Sequence, residues 1–223
     1  MRKLRLARFG VIASLFSIFL ASVISVNPAS AESLIPITYK VETSDPVIFI
    51  TIDDGFVMNT RARDLILSEG IPISLFLKGN IWKDPSHLKF FTPLVEAGAI
   101  VGNHTQNHSL LTKDSASHAK SEICTGRKSA EAASGQTVTW LRPPYGSKNR
   151  STQIIAASCG QTRILLWDVS VNGANIATYG GPMKAGDIVL MHWREDLHVS
   201  LKKVLAEAKR LGLKPANLAD YLQ

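Results

Sequence analysis

The chain has 223 residues, 45% hydrophobic and 19% charged, with a formal charge of +7 at pH 7, which suits one domain with a sizeable core and falls short of a comfortable two. Four of the 25 Lys and Arg, and none of the 18 Asp and Glu, lie in residues 1–31, so the rest carries only +3 and the pI of 9.5 is partly set by that leader. A modest positive balance could favour an anionic cell wall, but it lacks the dense basic face of a nucleic-acid binder and speaks against that partner.

In the leader, Arg2, Lys3, Arg5 and Arg8 precede the apolar run from Phe9 to Val26, and Ala29-Ser30-Ala31 has the small-x-small form of a signal-peptidase site. Residues 1–31 therefore read as a signal peptide, with the mature chain starting near Glu32. The run also approaches the ~18 residues that begin to suggest a membrane anchor. Either way the domain is expected outside the membrane, secreted or at the envelope exterior, touching the membrane only if the segment stays uncleaved. Residues 32–45 are polar and irregular, and the domain proper is residues 46–223.

Within it, short runs rich in Ile, Leu and Val predict strands at Val47–Ile52, Ile73–Leu77, Ile100–Val101, Thr139–Leu141, Ile164–Trp167 and Ile188–Met191. Their near-continuous hydrophobicity implies cover on both faces. Helical spacing predicts helices at Thr60–Ser68, Ser86–Glu96, Ala116–Ala133, Thr152–Ala157, Ser200–Leu211 and Ala216–Leu222, several stopping at a glycine. Alternating strand and helix argues for an α/β fold with a parallel sheet, open or closed. Asp53-Asp54, His104, Arg142 to Tyr145, Asp168 and His192 all fall near C-terminal strand ends, the edge where parallel α/β proteins place their sites; five such ends suit a barrel better than a crevice. Cys124 and Cys159 form either a disulfide, if their Cα atoms come close enough, or two separate buried thiols.

Two adjacent carboxylates, Asp53 and Asp54, at the end of a buried strand are costly unless their charge is compensated. Neighbouring strand residues point to opposite faces, so both reach one site only if the strand breaks there, and Gly55 is able to turn sharply. One carboxylate can then bind a metal while the other takes a proton from metal-bound water. His104 and His108 are four apart, a spacing that aligns side chains on a helical turn, and two imidazoles with a carboxylate make a catalytic zinc set. The same set also describes the facial triad of iron oxygenases, against which the extra Asp53 and the exported setting argue. Arg142, in Trp140-Leu141-Arg142-Pro143-Pro144-Tyr145-Gly146, is held by a rigid turn where it could keep a carboxylate ionised, and a backbone N–H there could face an oxyanion. His192, leaving an apolar strand, could act as general acid toward a leaving amine.

In order, Thr51-Ile52-Asp53-Asp54, His104-Thr105-Gln106-Asn107-His108, Arg142-Pro143-Pro144-Tyr145 and Leu190-Met191-His192 resemble the polysaccharide deacetylases of the NodB-homology type, carbohydrate esterase family 4, over about residues 46–222. The resemblance implies a distorted (β/α) barrel with fewer than eight complete units, acting on N-acetylated or occasionally O-acetylated sugars in polymers such as peptidoglycan or a chitin-like glycan. It implies that Asp54, His104 and His108 bind a divalent metal, usually zinc, and that Asp53 is the general base held by Arg142. It further implies that the Tyr145 N–H faces the oxyanion and His192 protonates the departing amine. Tyr145 and Trp167 are candidate sugar contacts, and a monomer is expected.

One segment departs from the family pattern. The usual Asp-x-x-Asp-Trp appears as Asp168-Val169-Ser170-Val171-Asn172-Gly173 after Trp167, with Ser170 where the aspartate that orients the acid histidine is expected. Either Asp168 partners His192 from one step back or Ser170 bonds it weakly, since both face the same side of an extended strand. Loss of the carboxylate should lower the histidine's pKa. A non-catalytic glycan-binding domain that keeps the fold is the alternative reading.

Overall fold

The computed structural model describes residues 34–222; the expected signal peptide, residues 1–31, lies outside them. The central strand β2 (Val47–Asp54) is buried over seven of its eight residues, and its alternation feeds two cores. Ile48, Ile50 and Ile52 face the larger cluster beneath the helices, whereas Val47 and Phe49 join Phe76, Trp140, Leu165 and Ile188 in an inner cluster. Thr51 and Asp53 continue that inward row, which carries Asp53 into the interior at the strand's C-terminal end.

The other strands are β1 (Ile37–Thr38), β3 (Ile73–Leu77), β4 (Ile100–Val101), β5 (Trp140–Leu141), β6 (Arg163–Leu165), β7 (Val169–Asn172), β8 (Asn175–Thr178), β9 (Ile188–His192) and β10 (Lys214–Pro215). One sheet runs β4-β3-β2-β9-β7-β8, with β10 beside β2, and a second runs β1-β6-β5. All these pairings are parallel except the β7–β8 hairpin. Isolated bridges at Asn103–Leu141 and Lys40–Asp187 link the two sheets. The ladder curls as a barrel does without forming one continuous closed sheet, as expected of a barrel with incomplete units.

Helices α1 (Thr60–Glu69), α2 (Gly79–Lys83), α3 (Pro85–Glu96), α4 (Ala116–Ser134), α5 (Arg150–Ser158) and α6 (Leu197–Arg210) accompany the strands. Asn59, Asp84, Ser115 and Asn149 cap α1, α3, α4 and α5 through their side chains. A disulfide joins Cys124 of α4 to Cys159 after α5, with Cα atoms 5.0 Å apart, which decides between the two readings of these cysteines. Among the described residues no helix is long and apolar enough to cross a membrane.

Several expected elements differ. The helix expected at Ala216–Leu222 is replaced by β10 and a 3₁₀ turn at Leu218–Asp220, because the Ala216 N–H donates to the Ile48 carbonyl and Leu218 sinks into the inner core. The segment 32–45 is not wholly irregular, since β1 pairs with β6. The strand expected through Trp167 ends at Leu165, α6 begins earlier than expected, at Leu197, and neither α2 nor the β7–β8 hairpin was signalled by an apolar run.

Candidate active site

The C-terminal strand ends meet in a cleft of about 280 Å³ lined by Asp53, Asp54, His104, His108, Tyr145, Trp167 and His192, among others. Asp53, 2% exposed, accepts a hydrogen bond from Arg142 Nη1 at 2.9 Å. Arg142 lies beneath the cleft, wholly buried, and its other N–H groups donate to the Leu165 and Leu166 carbonyls and to Thr51 Oγ1. Thr51 in turn donates to the Val189 carbonyl. The guanidinium stacks over Phe76 at 4.3 Å. Burial pushes the arginine's pKa down and Asp53 opposes it, leaving a guanidinium that stays charged in any protein.

Asp54 reaches the same cleft because the break falls on Asp54 itself, whose φ is +74°, followed by Gly55 at +88°. A non-glycine residue in this left-handed region is strained and marks a constrained site. The two histidines lie on a loop rather than a helical turn, with positive φ at Thr105 (+62°) and His108 (+70°); the loop brings the rings to 4.9 Å between centroids. His104 Nδ1 lies 2.7 Å from the Arg142 carbonyl. A carbonyl can only accept, so that nitrogen carries the proton and Nε2 presents a lone pair. Nε2 of His104 and Nε2 of His108 lie 3.5 and 3.3 Å from Asp54 Oδ1.

Asp54 Oδ1 is buried without a hydrogen-bond donor, and one ligand atom from each of Asp54, His104 and His108 falls within 4.8 Å of the others. An acceptor facing two imidazole nitrogens, at least one of them a lone pair, fits a cation at their centre. Burial works to raise the Asp54 pKa, but the neighbouring imidazoles of His104, His192 and His108 bring it down to about 2. Burial, then the charge of His104, holds His108 below the usual imidazole range against the pull of Asp54.

His192 follows the same inner edge, paired in register with Asp53. Burial lowers its pKa while Asp53 and Asp54 oppose that. Neither expected partner reaches it: Ser170 Oγ sits 3.5 Å from the Tyr179 hydroxyl, and Asp168 lines a neighbouring hollow rather than the cleft. Tyr145, at φ +60°, is 69% exposed and its ring packs on His108 at 4.7 Å. Trp167 is half-buried and lines the cleft instead of lying sealed in the core.

The residues that shape the histidine loop carry no motif signal. Asn103 Oδ1 accepts from the Thr105 N–H and Asn103 Nδ2 donates to the Ile123 carbonyl, while Glu122 accepts from both the backbone and side-chain N–H of Asn107. Gly126 lets α4 approach the loop, because a Cβ there would lie 2.4 Å from the Thr105 carbonyl carbon. A glutamate among the apolar and small residues of the α4 face, Ala119, Ile123, Gly126 and Ala130, was the available hint.

Comparison with known proteins gives the family. Residues 40–164 match the family model described as polysaccharide deacetylase. An uncharacterized Streptomyces coelicolor protein is 30% identical over 84% of this chain and 77% of its own. A Bacillus cereus peptidoglycan-N-acetylglucosamine deacetylase is 26% identical over 84% of this chain and 93% of its own. Among solved structures, a mutant, with restored activity, of a Bacillus anthracis carbohydrate esterase family 4 pseudoenzyme superposes with a TM-score of 0.72, at 25% identity over 84% of this chain and 71% of that one. The chain belongs to the polysaccharide deacetylase family.

Proposed function

We propose that the protein is an exported, metal-dependent deacetylase that hydrolyses N-acetyl groups, with O-acetyl groups as the related possibility, on a sugar polymer such as peptidoglycan or a chitin-like glycan. The observation that carries this is the orphaned Asp54 Oδ1 facing His104 and His108 beside the arginine-held Asp53. The N₂O donor set suits zinc, and the disulfide supports an oxidising, exported setting. The peptidoglycan activity of the Bacillus cereus relative supports the substrate class.

Asp54, His104 and His108 would hold a divalent ion, which when bound would supply Lewis-acid chemistry to water and to the acetyl carbonyl. Asp53, held by the Arg142 guanidinium, takes the proton from the attacking water. The Tyr145 N–H donates to the developing oxyanion. His192 gives a proton to the sugar nitrogen as the C–N bond breaks, leaving acetate and a free amine.

A second reading, a glycan-binding domain without turnover, draws on the absence of a hydrogen-bonding partner for His192 at Asp168 or Ser170. An acetate-release assay on a panel of acetylated glycans, with chelation and metal add-back, separates the two. Release that is lost on chelation and restored by zinc supports hydrolysis; binding without release under all metals supports the second reading.

A further inference from the structure

We propose that the Cys124–Cys159 disulfide positions the histidine loop for metal binding, so that opening it weakens the metal site while the domain stays folded. The bridge joins α4 to the corner after α5, 35 residues further along the chain. Those same two segments hold Asn103, the residue before His104. Asn103 Nδ2 donates at 2.9 Å to the carbonyl of Ile123, the neighbour of Cys124, and at 3.4 Å to Oε1 of Gln161, just beyond Cys159. The Asn103 amide therefore spans the gap that the disulfide fixes.

The rest of the loop leans on α4 close to Cys124. The Glu122 carbonyl accepts from the Gln106 N–H at 3.0 Å, and the Glu122 carboxylate accepts from both N–H groups of Asn107. Gly126 lies against the Thr105 backbone, and Ser129 Oγ donates to Gln106 Oε1. Residues 103, 105, 106 and 107 thus all rest on α4 between Glu122 and Ser129. Glycine leaves a helix interior freer than any other residue it tolerates, so α4 is softest at Gly126, beside the loop it supports, and the disulfide pins it next to that point.

The fold has other ties at this corner. Arg127 Nη1 donates to the Cys159 carbonyl at 2.7 Å, and Ala119, Ile123 and Ala156 belong to the same apolar cluster as Cys159. Metal affinity is the more sensitive quantity, because donor atoms are held by the contacts outside them and two of these donors sit on the loop. The inference rests on the metal set of Asp54, His104 and His108, and not on which acetyl group is hydrolysed.

Zinc affinity of wild type and of the double variant Cys124→Ala, Cys159→Ala, measured by competition with a chromophoric chelator, tests it, with far-UV circular dichroism and urea unfolding on the same samples. Alanine leaves no sulfur to capture zinc. The double variant should keep the wild-type spectrum and bind zinc about tenfold more weakly, the lower end of the roughly 10–100-fold cost of losing an outer contact. Val204→Ala is the control: it opens the larger core, where α6 packs on α1, β7, β9 and β10, and should lower the urea midpoint without changing zinc affinity. A double variant with wild-type zinc affinity, a double variant that is unfolded, or a Val204→Ala protein that loses zinc to the same degree would each overturn the positioning role. Weaker zinc in the folded double variant supports it whether or not wild type releases acetate, so the deacetylase reading stands or falls separately.

Discussion

Arg142 Nη1 sits 2.9 Å from Asp53 Oδ1, and both side chains are almost completely removed from solvent. The pair is closed off by Thr51 and two backbone carbonyls that take three further guanidinium donors, so removing either partner strands a buried charge. The Arg142→Met variant should lose about 3–5 kcal/mol of unfolding free energy, read from urea unfolding followed by circular dichroism. A loss below about 1 kcal/mol would show that the charge pair is not the buried unit described here.

His104 and His108 should not contribute equally to metal binding. His104 is 2% exposed and its ring is fixed by the Arg142 carbonyl, whereas the His108 side chain is 23% exposed on a strained loop. His104→Ala should weaken zinc by more than the roughly 10–100-fold that loss of an outer-shell partner costs, and His108→Ala by less than His104→Ala. Competition with a chromophoric chelator measures both; a variant with wild-type zinc affinity would remove that residue from the ligand set.

Protons compete with the metal for imidazole nitrogen. With its pKa held below the usual 6.5 by burial and by His104, the neutral form of His108 still predominates at pH 6.5, before a bound metal adds its own preference for it. Zinc occupancy at fixed total zinc should therefore stay flat down to pH 6.5 and decline only at lower pH, and the same neutral imidazole contributes stability that is present above 6.5 and lost on acidification. Equilibrium dialysis across pH 5–8 checks the sign: occupancy that falls between pH 8 and 6.5 would contradict it.

Ser170 pairs in register with Leu190, two residues before His192 on the neighbouring strand, so its side chain shares a face with that histidine. Ser170→Asp adds a negative charge beside an imidazole whose pKa burial has lowered and should raise that pKa. A general acid works only while protonated, so the alkaline limb of kcat/KM for acetate release should move to higher pH. A limb that stays in place or moves to lower pH would remove His192 from the role of acid.

Much of the site was legible because its chemistry follows strand ends. Asp53, Asp54, Arg142 and His192 each close an apolar run, and such runs are the strongest signal available to pattern reading. The loop that carries the histidines was less legible: its positive φ at Thr105 and His108 goes with packing against Glu122 and Gly126 of α4 that no local pattern encodes. The β7–β8 hairpin was missed because β8 is mostly exposed and carries no apolar run. The Ala216–Leu222 helix failed because a periodic apolar pair was used to plug the inner core from an extended backbone. The expectation that Ser170 or Asp168 would bond His192 is not met in the structure, where Ser170 Oγ is 3.5 Å from the Tyr179 hydroxyl and Asp168 lines the adjoining hollow.

The account turns on Asp53 acting beside a cation held by Asp54, His104 and His108, and Asp53→Asn separates the two halves of that claim, since the amide keeps a hydrogen-bond acceptor for Arg142 but is no base. Zinc content per chain and acetate release from an N-acetylglucosamine oligomer should be measured on the same preparation. The account predicts one zinc per chain with release lowered by at least about 10²–10⁴-fold, the usual contribution of general base catalysis; wild-type release from a zinc-loaded Asp53→Asn protein would contradict it.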